Sequence, residues 1–481
     1  MTSDYDYVAF HAAERPRAVA LADNGREVAC EEFRRDAAKL TRALRELGVA
    51  RGALVAVGCR DLHLHLLLLV ALERLGAATV SLGNEPGHGG VAPLASADLV
   101  LTEQGLPPAS VERQHRLDAA WLRHALGLPE DLETAGPGAD SEETTRVLRT
   151  SGTTGEAKWL AFSRRMFSMR VRSWFWCSGL VRGSRYLLTL PLTSGGGYIH
   201  AIACFRAGAT LVQETRPGAE PAALGSASHT TLLPLRLRQV LDALPRGFAK
   251  PQGLTVASFG APISEALRER AEARLASPLL DFYGCNEAGF VSVIRSRGAA
   301  GIGTLIPTVA VEVVDGKDAS LPLGQAGRLR LRSDSMPRGY VGDPEATRRM
   351  FRDGWFYPGD VAILHDEKRL QVLGRDDELM NIGGGKLAPA DAEDLIAGGF
   401  PGFDIGVCSL PNEQGIEEIW IAVAGGRERE GTLLERIRAV IPLGPYGPIH
   451  VVYLPAIPRT SNGKVQRHLL KAAVLEATGR G

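Results

Sequence analysis

The sequence predicts an α/β fold built from more than one structural unit, and three observations point there. The chain has 481 residues, too many for one ordinary domain and enough for two to four units. Its first 100 residues alternate element types. Glu31 to Leu47 has helical spacing, Ala53 to Cys59 reads as a strand, Leu62 to Leu75 as a second helix and Ala77 to Leu82 as a strand again. That alternation gives layered sheets that are mostly parallel. Finally, a glycine- and hydroxyl-rich stretch, Arg149 to Lys158, follows the apolar Val147-Leu148 and precedes a helix expected near Ser163. It reads as a loop between a strand and a helix, a place where phosphates bind.

Composition narrows the class. With 45% hydrophobic and 23% charged residues the chain can bury large cores, and its formal charge of zero supplies no field for nucleic acid or an anionic membrane. The six cysteines are widely spaced, with no C-x-x-C pair and no histidine at zinc-finger spacing, so they read as reduced thiols of a cytoplasmic protein. Met1-Thr2-Ser3-Asp4-Tyr5-Asp6 is acidic where a signal peptide is basic. The leucine-rich run Leu62 to Leu72 contains His63 and His65 and ends at Glu73-Arg74, short of the roughly 18 apolar residues of a membrane span, so a buried helix is expected.

In the loop, Gly152 and Gly155 let backbone N–H groups turn toward an anion, Ser151, Thr153 and Thr154 add hydroxyl donors, and Lys158 adds a compact charge. Ala157 stands where a Walker A motif has its second glycine, so this is not that type of P-loop. The string T-S-G-T-T-G-x-x-K, with Thr150 at its start, resembles the phosphate loop of the adenylate-forming superfamily: acyl-CoA synthetases, peptide-synthetase adenylation domains and firefly luciferase. The superfamily's other motifs follow in order, and the resemblance spans roughly residues 15 to 470.

The chain between Gly105 and Ser141, with Pro107-Pro108 and Gly136-Pro137-Gly138, reads as connecting segments. After the loop, Phe167, Val171, Trp174 and Ser178 share one helical stripe. Arg164, Arg165, Arg170 and Arg172 lie among them, as either a solvated basic face or a contact for a phosphorylated carrier such as CoA. Leu188 to Tyr198 resembles the segment where relatives carry a histidine or aromatic gate, with Ser194 in its place. Gly195, Gly196 and Gly197 either leave room for a large acyl group or mark a loop with unusual dihedrals. The segment has no Asp to pair with an α-amine, which points to a non-amino acid.

Thr255 to Pro262 resembles the strand and G-A-P turn bordering adenine and the acyl pocket, which implicates Phe259, Gly260, Ala261 and Pro262. Asp281-Phe282-Tyr283-Gly284-Cys285-Asn286-Glu287 resembles Y-G-x-T-E, with Asn286 replacing threonine. The resemblance implies an adenine-stacking Tyr283, an α-phosphate contact at Asn286 and a Mg²⁺ ligand at Glu287, a hard oxygen donor suited to that ion. Asp281, Phe282 and Gly284 border the nucleotide, and Tyr198 and Cys285 the acyl group. Residues 327–347 match a further motif of chiefly structural character. Asp353 to Asp360 resembles G-W-F-x-T-G-D, with Pro358 for threonine and Asp360 as the ribose acceptor. Gly374 to Lys386 resembles the hinge motif, implying Arg375 as a ribose or phosphate contact and Asp377 as the hinge. Ile457 to Arg467 resembles P-[KR]-T-x-x-G-K-[IV]-x-R, in which Lys464 corresponds to the adenylation lysine.

The resemblance therefore implies a large multi-subdomain amino-terminal domain (1–376) with α/β-layered sheets and a small, mobile α+β carboxy-terminal domain (377–481). It implies Lys464, Glu287 and Thr154 as catalytic residues, with ATP, Mg²⁺ and CoA as cofactors. The expected activity joins a carboxylic acid, free of an α-amine and of bulky shape, to CoA by way of an acyl-adenylate. Three alternatives stand beside it: loading of a carrier-protein phosphopantetheine, thioesterification alone of a preformed adenylate, and non-catalytic AMP binding. Trp159 for a glycine, Arg164 for a histidine, and Ser194, Asn286 and Pro358 are departures that reflect either an unusual substrate or an enzyme specialised to one half-reaction.

Overall fold

The computed structural model of the chain describes residues 3–83, 96–103, 113–150, 158–261, 263–276, 278–295, 301–376, 378–382, 385–390, 392–393, 396, 403–412, 417–425, 435, 437, 448–460 and 463–479. Ser151, Gly152, Thr153, Thr154, Gly155, Pro262 and Asp377 lie outside the described residues.

The expected amino-terminal layering is present. Helix α1 (Asp4–Glu14) leads into the hairpin Val19–Asp23 and Arg26–Ala29, then α2 (Cys30–Glu46), the strand Leu54–Gly58, α3 (Leu62–Arg74) and the strand Ala78–Ser81. All thirteen residues of α3 are buried, as its leucines require. Leu54–Gly58 lies between Ala78–Ser81 and Leu99–Thr102 as a parallel trio, and the six-stranded sheet ends in the antiparallel pair Thr144–Arg149 and Trp159–Ser163.

That last pair corrects one expectation. The phosphate-loop segment connects two strands of a hairpin, and the helix begins only after the second strand. Arg149 pairs with Trp159, and the Thr150 N–H donates to the Lys158 carbonyl at 2.7 Å. Ser163 then caps α5 (Arg164–Ser178) by accepting from the Met166 N–H. A second correction concerns the connection before it. The segment contains the short strand Gln114–Arg116 and α4 (Ala119–Gly127), whose N-cap Asp118 accepts from the Trp121 N–H at 2.8 Å.

A second, fifteen-stranded sheet has the hairpin Val19–Asp23 and Arg26–Ala29 at one edge, continues through parallel strands, among them Thr255–Phe259 beside Leu279–Cys285, and becomes antiparallel from Gly289–Ile294 onward through Arg369–Arg375 and Asp360–Asp366. The parallel-to-antiparallel change falls at residues 285–289, where the expected nucleotide and metal residues sit. Further along, Asp404–Pro411, Glu417–Ala424 and Ile449–Tyr453 form a separate three-stranded sheet with apolar clusters of its own and the helix Arg467–Ala477 against it. All six cysteines are free thiols. Among the described residues no helix is long and apolar enough to cross a membrane.

Two of the four basic residues of α5 are neither a solvated face nor a carrier contact. Phe167, Val171, Trp174 and Ser178 are buried as the stripe predicts, yet so are Arg164 and Arg170, while Arg172 is exposed. Arg164 lies between two acids from other elements, 3.5 Å from Asp4 of α1 and paired with Glu73 of α3. Arg206 of α6 (Gly195–Ala207) completes the group at 2.7 Å from Asp4. Two acids and two bases, all buried, balance one another where an unpaired charge would be costly.

Candidate functional site

Three groups of expected residues meet at the carboxy-terminal ends of the strands Thr255–Phe259 and Leu279–Cys285. In the first, the Tyr283 hydroxyl donates to Asp360 Oδ2, and Arg375, which lies opposite Asp360 in the strand register, brings Nη1 to 3.7 Å from Asp360 Oδ1. Arg375 Nη1 also donates to the Pro358 carbonyl at 2.6 Å. Burial raises the Asp360 carboxyl above its usual range, while Arg375, Tyr283 and Lys464 act in the opposite direction. A buried acceptor carboxylate between a phenol and a guanidinium suits a pair of ribose hydroxyls. Tyr283 thus holds that acceptor through its hydroxyl, beyond its expected role of stacking.

In the second group, Glu287 Oε1 accepts from the Tyr340 hydroxyl at 2.8 Å, and Lys158 Nζ lies 5.2 Å from the centroid of the Tyr340 ring. Behind them is Arg170. Its Nη1 donates to the Asn286 carbonyl at 2.8 Å, its Nη2 to the carbonyls of Glu287 at 2.7 Å and Ser335 at 3.0 Å, and its Nε to Ser335 at 3.1 Å. Burial pushes Arg170 down to about 10, with the nearby Cys285 and Glu287 acting in the opposite direction. One rigid fork therefore fixes the backbone at both Asn286 and Glu287. Among the described residues there is no cluster of three or more metal-ligating side chains. A single carboxylate near Lys158 fits Mg²⁺, which is held by one or two carboxylates together with substrate phosphates.

In the third group, Lys464 arrives from the far end of the chain. It follows Gly463, whose φ is +80°, in a turn closed by the Thr460 N–H on the Lys464 carbonyl at 2.8 Å and by Arg459 Nη1 on the Gly463 carbonyl at 2.8 Å. Arg459 is itself tied to Asp404 at 2.6 Å. The turn packs on Leu235, and Lys464 Cε lies 3.9 Å from where a Cβ on Gly260 would stand. Gly260 has φ +94°, so a side chain there would be strained as well as close to the lysine.

The acyl-side residues divide. Ser194 is the N-cap of α6, accepting from the Gly197 N–H at 3.0 Å and donating to the Pro191 carbonyl at 2.8 Å, and the three glycines form the first helical turn with no unusual dihedrals. A Cβ on Gly195 would come within 2.9 Å of Asn286 Oδ1, and one on Gly196 within 2.8 Å of Phe259 Cζ, so these glycines bring α6 against both residues. Gly197 faces the backbone of Leu190 and Pro191 instead. Tyr198 lies in the core beneath Arg146, whose guanidinium is 4.4 Å from the ring centroid, and does not reach Phe259 with its neighbours. The half-buried Cys285 thiol is pushed upward by burial and is a poor nucleophile. Gly197→Ala is expected to cost about 2 kcal/mol or more, since the methyl meets rigid backbone. Urea titration checks it, and an unchanged midpoint would contradict the packing.

Asp281 is buried on the same strand as Tyr283. Its carboxylate is 3.6 Å from Arg268, and burial pushes it up to about 6, with Arg268 and a backbone hydrogen bond at Ile263 opposing the shift. A raised folded-state value means that the native state holds the proton more tightly, so this contribution to stability is present below 3.8 and is lost as pH rises through about 6. Asp281→Asn is therefore expected to gain stability relative to the parent between about pH 4 and about pH 7. Denaturation of both proteins at the two pH values measures this, and a pH-independent difference would exclude it.

Tyr340 and Arg170 are the residues whose roles sequence reasoning misses. Tyr340 falls inside a recognised motif and Arg170 on a recognised helix, but a periodic pattern does not reveal which backbone carbonyls lie opposite a side chain.

Comparison with known proteins gives a consistent picture. Residues 8–341 match the model of the AMP-binding enzyme family. The chain is 28% identical to a 4-coumarate–CoA ligase-like protein of Oryza sativa subsp. japonica, over 84% of this chain and 73% of that one. It is 25% identical to the fatty acid–[acyl-carrier-protein] ligase ScoC of Streptomyces coeruleorubidus, over 96% of this chain and 94% of the other. Among solved structures, ATP-bound MatB from Rhodopseudomonas palustris superposes with a TM-score of 0.83 at 20% identity, covering 98% of this chain and 99% of that one.

Proposed function

We propose, from the premise that the chain belongs to the AMP-binding enzyme family of adenylate-forming acyl ligases, that it is an ATP-dependent carboxylic acid:CoA ligase. The observation that carries this reading is the meeting of Lys464 from the carboxy-terminal part with Gly260 and the Tyr283–Asp360–Arg375 group from the amino-terminal part. Of the relatives named above, one is named as like a CoA ligase and one as a fatty acid–[acyl-carrier-protein] ligase.

A carboxylate is a poor acyl donor because its charge repels nucleophiles and oxide does not leave. Transfer to AMP removes both obstacles, and the protein's task is positioning and charge stabilisation. Asp360 holds the ribose, Asn286 and Lys158 border the phosphates, and Lys464 supplies positive charge where the acid's carboxylate meets the α-phosphorus. Glu287 is the residue that would hold Mg²⁺, and the bound ion would neutralise phosphate charge. The thiol then attacks the adenylate carbonyl carbon and AMP leaves. For that step residues 377–481 act as a small mobile domain turning at Asp377, which withdraws Lys464 and opens a path for pantetheine.

A carrier-protein acceptor is the second reading, favoured by the nearly full-length match to ScoC. Acid-dependent ATP–pyrophosphate exchange with a pooled library of aliphatic, aromatic and polycyclic acids, without thiol, tests the first step. Exchange with at least one acid supports adenylation at this site. No exchange with any acid, together with thioester from preformed acyl-adenylates and CoA, would reduce the enzyme to its second half-reaction. Acceptance of CoA against a phosphopantetheinylated carrier then separates the two thiols.

A further inference from the structure

Glu287 is held at both ends, and its two carboxylate oxygens are not equivalent. Arg170 grips the backbone carbonyl, while the Tyr340 hydroxyl donates to Oε1 at 2.8 Å. Oε2 accepts from no described residue.

Tyr340 has little freedom to move. Its N–H donates to Thr347 Oγ1 at 2.9 Å, the N–H of the next residue, Val341, donates to the Trp159 carbonyl at 2.8 Å, and its ring packs edgewise with Phe351, 5.5 Å between centroids. A Cβ on Gly339 would stand 2.4 Å from Thr347 Cγ2, so the missing side chain lets the turn close onto that threonine. The buried ring then reaches two ways. Its hydroxyl meets Glu287, and its centroid lies 5.2 Å from Nζ of Lys158, the residue just before Trp159. One side chain therefore fixes the carboxylate relative to the lysine.

A phenol on one carboxylate oxygen removes half of a bidentate ligand. Mg²⁺ keeps to a tight octahedron and is served by one oxygen together with water and phosphate, whereas Ca²⁺ gathers about six to eight oxygens and takes both from one carboxylate readily. We propose that Tyr340 is a positioning residue that makes this site selective for Mg²⁺ over the larger Ca²⁺, by occupying Glu287 Oε1 and leaving Oε2 alone to meet the ion. A cation that needs both oxygens must first break the Tyr340 hydrogen bond. A cation content with one leaves it intact. The inference rests on the reading of Glu287 as the residue that would hold Mg²⁺.

The test is ATP affinity by isothermal titration calorimetry, without acid or thiol, in saturating Mg²⁺, in saturating Ca²⁺ and in EDTA. In the parent, Mg²⁺ is expected to tighten binding over the EDTA value by more than Ca²⁺ does. Tyr340→Phe removes only the hydroxyl and keeps the ring beside Lys158. It is expected to lower the Mg²⁺-over-Ca²⁺ ratio about tenfold, the scale on which a metal ligand's own partner changes metal affinity, with the EDTA value unchanged. A merely structural role would weaken all three alike. Glu287→Gln is expected to abolish the ion dependence, and adding Tyr340→Phe to it to change nothing further. Equal, non-zero tightening by the two ions in the parent, which requires no variant to fold, or an unchanged ratio in folded Tyr340→Phe would overturn the inference while leaving Glu287 its role. ATP affinity insensitive to both ions, or ion dependence that survives Glu287→Gln, would remove both.

Discussion

Lys464→Ala is expected to lower acid-dependent ATP–pyrophosphate exchange about a hundred- to thousandfold, the usual cost of removing one well-placed donor from a transition state that builds negative charge. Thioester formation from a preformed acyl-adenylate and CoA is expected to fall far less, because no new charge develops at phosphorus in that step. The reason is geometric. Lys464 has its backbone fixed by the Thr460 N–H, its neighbour Gly463 held by Arg459 and packed on Leu235, and its side chain brought beside Gly260 and Asp360. The variant removes the ammonium and leaves that turn in place. Quench-flow or radiolabel measurement of the two half-reactions separates them. Equal loss in both would mean that the lysine serves the fold, and no loss in either would remove it from the chemistry.

Arg170→Lys is expected to have the largest effect on stability, about 2–4 kcal/mol by urea unfolding, together with a tenfold or greater loss of exchange activity. A lysine keeps the charge but cannot span the carbonyls of Asn286, Glu287 and Ser335, which the guanidinium holds from three nitrogens. The Glu287 and Ser335 carbonyls left without their donor are buried, and that of Asn286 is partly buried. The loss of activity follows because the same carbonyls belong to the residues expected at the α-phosphate and at the metal. A variant as stable and as active as the parent would show that the fork is redundant.

Much of the fold is legible in the sequence, and for particular reasons. The helices at Cys30–Glu46 and Leu62–Arg74 and the strands beside them follow from periodicity and burial. Asp360 and Arg375 are legible through the motifs that surround them, and the structure brings them together across adjacent strands. The hairpin strand Trp159–Ser163 escapes notice because five residues between the loop and a helix cap are too few to show a strand's alternation. The arginines of α5 are misjudged for a different reason. Charge predicts exposure only on average, and the residues that bury Arg164 come from sequence positions far away: Asp4 and Glu73. The glycine triad has the same cause. Its requirement is set by the Pro191 carbonyl, Phe259 and Asn286, none of which a local window includes together.

The buried group of Asp4, Glu73, Arg164 and Arg206 ties the very first helix to the residue that follows the phosphate-loop hairpin. An N-terminal deletion ending at Asp6 would therefore act at a distance. It would leave two guanidinium groups facing one carboxylate at the start of α5, so the same cut that looks harmless in the linear map would slacken the support of the hairpin.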